Sequence, residues 1–508
     1  MTRRTPEHLG PATLPNRKCA WASTAEEQAD RQQAVEAHLQ ALRSQLPLIL
    51  ARLARIPDPR RQASVEHDLT TLLLYGILLF AYQYTSRRQG NRELSRPEFL
   101  ACLRTVFPEL ATTPHTDTVE RLLQRIPVED IEAALQAAVG ALLRSGKLRA
   151  LLVQDGWVVA LDGSQKLTRS WEWAEQALRR QHGAADGAIS YSAYVLQATL
   201  VGPQGVRIPL ATEFCANAPQ PAPAESDGAA VGPAPGASAG SAAAAADPPP
   251  ASAEKQKQDC EFKACQRLAA RLKQAFPRRR LVIVADGLYA NGPMMALCRR
   301  YGWDFMLVLR DDSLPALWKE VRALHRLAPE NAYQREWGGR QQRFWWVNDV
   351  RYEYGPNGRE HLDIHIVVCE ETWSAPTEQD PHHTDHARFA WVSAVPLSAK
   401  NVHDRCNRAA RHRWDIEEGF LTEKHQGYQF SHAFSYDWNA MRAWHYLMEI
   451  AELLNTLALY SVDLWRWVCE RGFSATLIML REAYTGPWLD HDRLRALLRK
   501  PPQLRLVF

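Results

Sequence analysis

The chain has 508 residues, is 46% hydrophobic and carries a formal net charge of only +4, so it is long enough for two or more cores and is no bulk polycation. A nucleic-acid partner must therefore be met by local clusters such as Arg278-Arg279-Arg280, Arg405 to Arg413 and Arg493 to Lys500. Nine scattered cysteines without a CxxC pair exclude a zinc ribbon and a disulfide framework, and they suit a reducing cytoplasm. Met1 to Ala20 has no apolar h-region, so no secretory signal is expected.

Residues 25–150 read as a helical N-terminal domain. Apolar positions recur at helical spacing in Ala34–Leu53, Leu69–Tyr84 and Ile131–Leu143, with Pro57, Pro59, Pro108 and Pro114 between them. Leu69–Tyr84 is the most apolar run. It is shorter than a membrane span and contains Thr70 and Thr71, which predicts a buried core helix and no membrane partner. Thr116 and Asp117 are placed to cap a helix beginning near Val119.

From Trp157 the pattern changes to strands. Trp157–Leu161 is a short apolar run ending in Asp162-Gly163, which predicts a buried strand followed by a tight turn. Ile189–Leu200 and Val206–Phe214 predict two more strands. Ala216 to about Ala253 is a low-complexity run of Ala, Pro, Gly and Ser, and residues 216–256 are expected to be a disordered loop inserted in one domain. A helix over Cys260–Phe276 follows, then a strand over Leu281–Ala285 ending in Asp286-Gly287. A helix (Pro293–Tyr301) and a strand (Phe305–Leu309) complete a β-α-β-α-β alternation, the sign of a mixed α/β sheet. A strand-rich segment, 325–398, has its clearest strands at Arg343–Val350, Leu362–Cys369 and Phe389–Val395. Residues 436–508 read as a helical C-terminal region.

Two aspartates share one context: each ends an apolar strand and precedes glycine, in ALDGS at Asp162 and VADGLY at Asp286. The C-terminal ends of adjacent buried strands are where α/β folds carry catalytic groups, and a carboxylate there is a good ligand for a hard divalent cation. An Asp-Gly that merely makes a turn is the alternative. Further on, Arg413, Glu417 and Lys424 form R-x3-E-x6-K within a helix predicted over Arg411–Lys424. At about 100° per residue all three fall on one face. Simple i,i+4 pairing on a solvated face would give the same pattern. Glu418, one residue round the helix, is the main rival to Glu417. Asp311 and Asp312 are expected to cap, pair or face solvent. His382, His383 and His386 lack partners at zinc spacing, and Cys406 beside His403 lacks an activating context.

With ALDGS, DCEFKACQRLAARL before VADGLYAN, and RWDIEEGFLTEKHQGY, the chain resembles the DDE transposases of the IS4-like group over roughly residues 40 to 460. The group signature is Y-x2-R-x3-E-x6-K. Arg413, Glu417 and Lys424 match it, and Ala410 stands where the tyrosine is expected. The resemblance implies an RNase H-like catalytic core over 151–435, with 325–398 as a β-rich insertion. It also implies that Asp162, Asp286 and Glu417 together bind two Mg²⁺ or Mn²⁺ ions, and that Arg413 and Lys424 hold phosphates near the transposon end. An aromatic residue of the β-rich insertion that stacks on a flipped base is also implied, for which Trp345 and Trp346 are the candidates; a place in the core is the competing and favoured reading for both. The implied activity is cleavage of DNA at terminal inverted repeats and transfer of the freed 3′-hydroxyls to target DNA, in a bacterial cytoplasm and at the nucleoid. Two metals suit an in-line phosphodiester displacement by activating the attacking water and stabilising the leaving oxygen. The helical N-terminal domain is the candidate for reading the ends, with Arg87, Arg88 and Arg92 on backbone phosphates. Cutting two ends calls for two active sites, so a homodimer on DNA is expected, formed through the C-terminal helices 440–508. A metal-dependent nuclease of the same fold without strand transfer, and an inactive transposase-derived DNA-binding protein, are the competing readings.

Overall fold

The computed structural model describes residues 21–108, 110, 112–183, 187–217, 259–375 and 382–508. Most of the expected inserted loop, 216–256, lies outside them.

Seven helices precede the first strand: α1 (Thr24–Arg43), α2 (Leu46–Leu53), α3 (Leu69–Ala81), α4 (Arg87–Leu94), α5 (Pro97–Val106), α6 (Thr116–Leu123) and α7 (Glu129–Ser145). Their starts follow local chemistry. The side chains of Ser23, Asp68 and Ser86 accept hydrogen bonds from Glu26, Thr71 and Gln89 amides, satisfying donors that a first turn leaves open. The helix expected near Val119 begins earlier, at Thr116, because His115 takes the cap and Asn91 accepts from the Thr116 amide at 2.8 Å.

The apolar helix α3 is buried except for Thr70 and Thr71. It packs on α12 (Trp438–Leu459), far along the chain. At the contact is Gly76, where a Cβ would sit 2.7 Å from Leu447. Glu120 on α6 stitches the same interface, accepting from the Trp444 indole at 2.7 Å and the Ser435 hydroxyl at 2.5 Å. The N-terminal and C-terminal helices thus share a core. Among the described residues no helix is long and apolar enough to cross a membrane.

The strands are β1 (Leu152–Val153), β2 (Gly156–Arg169), β3 (Leu178–Gln181), β4 (Ile189–Gly202), β5 (Val206–Cys215), β6 (Leu281–Ala285), β7 (Asp304–Val308), β8 (Ala332–Trp337), β9 (Arg340–Tyr354), β10 (Glu360–Ser374) and β11 (Thr384–Ser393). They form one mixed sheet in the order β3-β4-β2-β6-β7-β11-β10-β9-β8, with β1 on β2 and β5 on β4. Among the described residues only β2-β6 and β6-β7 pair in parallel. The helices α8 (Glu261–Ala275) and α9 (Gly292–Tyr301) make the crossovers between those three strands. A mixed α/β architecture of this kind is compatible with an RNase H-like core.

Three local features differ from the sequence reading. Asp162-Gly163 is not a turn: β2 continues to Arg169 because the long antiparallel β4 supplies hydrogen-bond partners beyond the point where β6 ends. The strands after residue 330 are joined by a further helix, α10 (Pro315–Leu327), and by β8, and they extend the core sheet through the pairing of β11 with β7. The helix expected over Arg411–Lys424 starts only at Trp414, as α11 (Trp414–His425), after a π-helical turn (404–409) and a 3₁₀ turn (410–413). Arg405 in that π turn is buried and grips Asp304 of β7 through two hydrogen bonds, 2.7 and 2.8 Å. Side-chain anchoring of this kind accompanies irregular turns at functional sites.

The remaining helices are α13 (Trp465–Arg471), α14 (Phe473–Thr485) and α15 (His491–Leu498). Since α12 is enclosed in the protomer, only α13–α15 of the segment 440–508 keep much surface for a partner.

Candidate active site

The register of the parallel pair sets the first two acids. Leu161 lies opposite Ala285, so Asp162 and Asp286 are the next residues on adjacent strands. β2 carries Asp162 onward in the sheet, whereas β6 ends and Asp286 caps a single 3₁₀ turn. Asp162 accepts from the Gly163 amide at 2.8 Å and Asp286 from the Leu288 amide at 2.9 Å. Both side chains are half-buried.

The first turn of α11 brings the third acid. Glu417 is bound to Arg413 at 2.6 Å. Arg413 is 4% exposed, its Nε has no hydrogen-bond partner, and its guanidinium lies 3.9 Å from the ring centroid of Trp414. Seven residues past Glu417, Lys424 donates to the Ser164 hydroxyl at 2.7 Å. Ser164 is two residues past Asp162, and alternate residues of a strand share a face. The sequence-predicted residues Asp162, Asp286, Arg413, Glu417 and Lys424 therefore come from β2, the end of β6, the 3₁₀ turn before α11 and α11 itself.

These groups feel one another. Burial pushes the Asp162 carboxyl up to about 6; the Gly163 amide and Arg413 oppose this, while Glu417 and Asp286 add to it. A half-buried carboxyl whose proton affinity is raised in this way is donor chemistry that a hard divalent cation would relieve. Among the described residues, however, no three His, Cys, Asp or Glu side chains stand close enough to ligate one ion in this arrangement. Glu417 is held by Arg413.

Other expected contacts fare differently. Trp345 and Trp346, the candidates for a flipped base, are buried on β9, and Trp345 stacks on His325 at 4.2 Å. An exposed ring next to Arg413 is that of Trp414, at 54%. It lines a cleft of about 470 Å³ together with Arg310, Arg388, Phe389 and Arg411. Arg310 also packs against Gly287, beside Asp286. The lining of the cleft comes from three separate stretches of chain, 308–312, 388–391 and 411–414, which no local sequence pattern joins. The cluster Arg405–Arg413 is largely committed inside the protein: Arg405 to Asp304, Arg411 to Glu371 and Arg413 to Glu417. On α4, Arg87 lies 3.6 Å from Asp117 and 3.5 Å from Glu120, Arg92 binds Glu93, and Arg88 is exposed. Glu418 points to Arg207 at 3.9 Å, and Asp311 and Asp312 pair with Arg388 and Arg310.

Behind the site lies a cluster that no sequence feature announced. Lys166, Glu423, Glu449, Glu452 and His445 are all buried. Lys166 donates to the Phe430 carbonyl at 2.9 Å, and Gln197 donates to Glu449 at 3.1 Å. Burial raises the three carboxyls and lowers the ammonium of Lys166 and the imidazole of His445.

A mixed α/β sheet thus carries two aspartates side by side on neighbouring strands, with Arg413 from the 3₁₀ turn and Glu417 and Lys424 from α11. Residues 50–138, within the N-terminal helices, match the family described as DDE_Tnp_1-associated, which points to a family related to the DDE-type transposases. Curated proteins gave no match.

Proposed function

We propose that the chain is a DDE-type DNA transposase of the IS4-like group, which binds transposon ends, cleaves them and joins the freed 3′-hydroxyls to target DNA. The observation that supports this reading is that Asp162 and Asp286 follow directly opposed residues of two adjacent parallel strands, with Lys424 bound to Ser164 two residues past Asp162 and Arg413 bound to Glu417. Asp162 and Asp286, joined by Glu417 once it leaves Arg413, would hold two Mg²⁺ or Mn²⁺ ions, which when bound would activate a water and stabilise the leaving 3′-oxygen. The chain's own groups do the rest. Arg413 offers a planar guanidinium for a phosphate, and Lys424, oriented by Ser164, offers a point charge. Trp414, in place of Trp345 and Trp346, offers an aromatic face to a base at the mouth of the arginine-lined cleft. Arg88 on α4 supplies backbone charge for the terminal inverted repeat. The assembly on DNA is a homodimer, one active site per end, in the bacterial cytoplasm.

The test is cleavage of DNA carrying the element's own ends in Mg²⁺ or Mn²⁺, wild type against Glu417→Gln. The proposal expects wild type to release and join ends, and the variant to bind without cutting. Equal cutting by both sinks the assignment of Glu417. Cutting without any joined product converts the reading to a nuclease.

A further inference from the structure

One carboxylate at the start of α8 reaches both aspartate-bearing strand ends. Glu261 lies in the first turn of α8. Its Oε2 accepts from the Tyr194 hydroxyl at 2.8 Å, and its Oε1 accepts from the Tyr289 hydroxyl at 2.5 Å. Tyr194 stands on β4, and its phenol lies flat against Gly163: a Cβ there would be 2.1 Å from the hydroxyl oxygen. Only the absence of a side chain at 163 admits the ring, directly beside Asp162. Tyr289 ends the 3₁₀ turn that Asp286 caps, and it is 1% exposed. The two phenols thus back the two aspartates, and a single acceptor holds both phenols.

We propose that Glu261 is a positioning residue that, through Tyr194 and Tyr289, fixes the spacing of Asp162 and Asp286. A buried hydroxyl such as that of Tyr289 is costly to leave without an acceptor, and the half-buried Tyr194 shares the same carboxylate. The role in metal binding rests on the reading of the aspartates as ligands given above. The clamp itself rests on the two hydrogen bonds and the close approach at Gly163.

The test is hydrogen exchange of the full chain without metal, read in peptides spanning 160–166, 286–291 and α12. Glu261→Ala is expected to speed exchange about tenfold in the first two and leave α12 unchanged. The Tyr194→Phe/Tyr289→Phe double variant, which keeps both rings, is expected to give the same pattern. Glu261→Gln, which still accepts through its carbonyl oxygen, is expected to fall between. No change at either strand end, or faster exchange throughout including α12, overturns the clamp. Should Glu261→Ala not fold, the double variant and Glu261→Gln decide. Mn²⁺ binding, followed by electron paramagnetic resonance, then tests the consequence. The half-saturating concentration should rise about tenfold in Glu261→Ala, and an unchanged value overturns the positioning role. If Asp162→Asn and Asp286→Asn bind Mn²⁺ as wild type does, it is the ligand reading that falls, while the exchange result still judges the clamp.

Discussion

Lys424 and Ser164 are joined by a 2.7 Å hydrogen bond that ties the last turn of α11 to β2, two residues beyond Asp162. The charge of Lys424 is thereby held over the site instead of ranging through solvent. Lys424→Met is expected to weaken binding to transposon-end DNA and to reduce the slope of log affinity against log salt by about 1. Ser164→Ala, which frees the ammonium without removing it, should leave that slope unchanged and lower cleavage only a few-fold. Binding titrations at several salt concentrations, with cleavage at saturating protein, check both.

Asp162 costs the metal-free protein stability. Its pKa in the fold, about 6, lies above the ordinary carboxylate value, so the native state resists ionisation. Asp162→Asn is expected to stabilise the metal-free chain by about 1–3 kcal/mol at pH 7. Below pH of about 4 the carboxyl is protonated in both native and unfolded states and the gain vanishes; it grows between about 4 and 6 and is complete above. Thermal unfolding across that range, with a chelator present, measures it.

The cluster behind the site predicts the reverse. Lys166 is the ammonium among Glu423 and Glu449, all of them buried. Lys166→Met should destabilise the protein by about 3–5 kcal/mol at pH 8, since removing one partner strands buried charge. Glu449 is held up at about 7, so it regains its proton as pH falls through that value. The deficit is therefore expected to shrink by pH 6. A deficit that stays constant from pH 6 to 8 would contradict this account.

The two kinds of tryptophan should separate cleanly. Trp345→Ala opens a cavity in β9 and is expected to cost about 3–5 kcal/mol in stability. Trp414→Ala removes an exposed ring, should leave the melting temperature within about a degree, and should weaken end binding by about 1–3 kcal/mol if a base stacks there. Paired melting and DNA-binding measurements on the two variants distinguish the roles.

Much of this arrangement was legible in the residues. Apolar runs of five located β2 and β6, and the Asp-Gly after each marked where their carboxylates sit. The spacing of 413, 417 and 424 placed Glu417 and Lys424 on the same side of α11, because helical periodicity is a local property. What was not legible depended on partners distant in sequence. Asp162-Gly163 looked like a turn because nothing near it reveals that β4 will pair alongside. For Trp345 and Trp346 the core reading holds, although the sequence does not show that His325 lies against one of them. Glu261 looked like an ordinary first-turn acid, since its two phenols lie 67 and 28 residues away.

The burial of α3 against α12 has a consequence for how the chain matures. Residues 69–81 leave the ribosome more than three hundred and fifty positions before the helix that covers them. Until α12 arrives, Leu72, Leu73, Ile77 and Phe80 have part of their packing missing, and so long a separation makes the closing contact slow to form. The helical segment that matches a transposase-associated family is therefore expected to complete its packing only once residue 438 and beyond have been made. A chain truncated before residue 438 would present an apolar stripe in search of another cover, and such a fragment is expected to aggregate or to be taken up by chaperones.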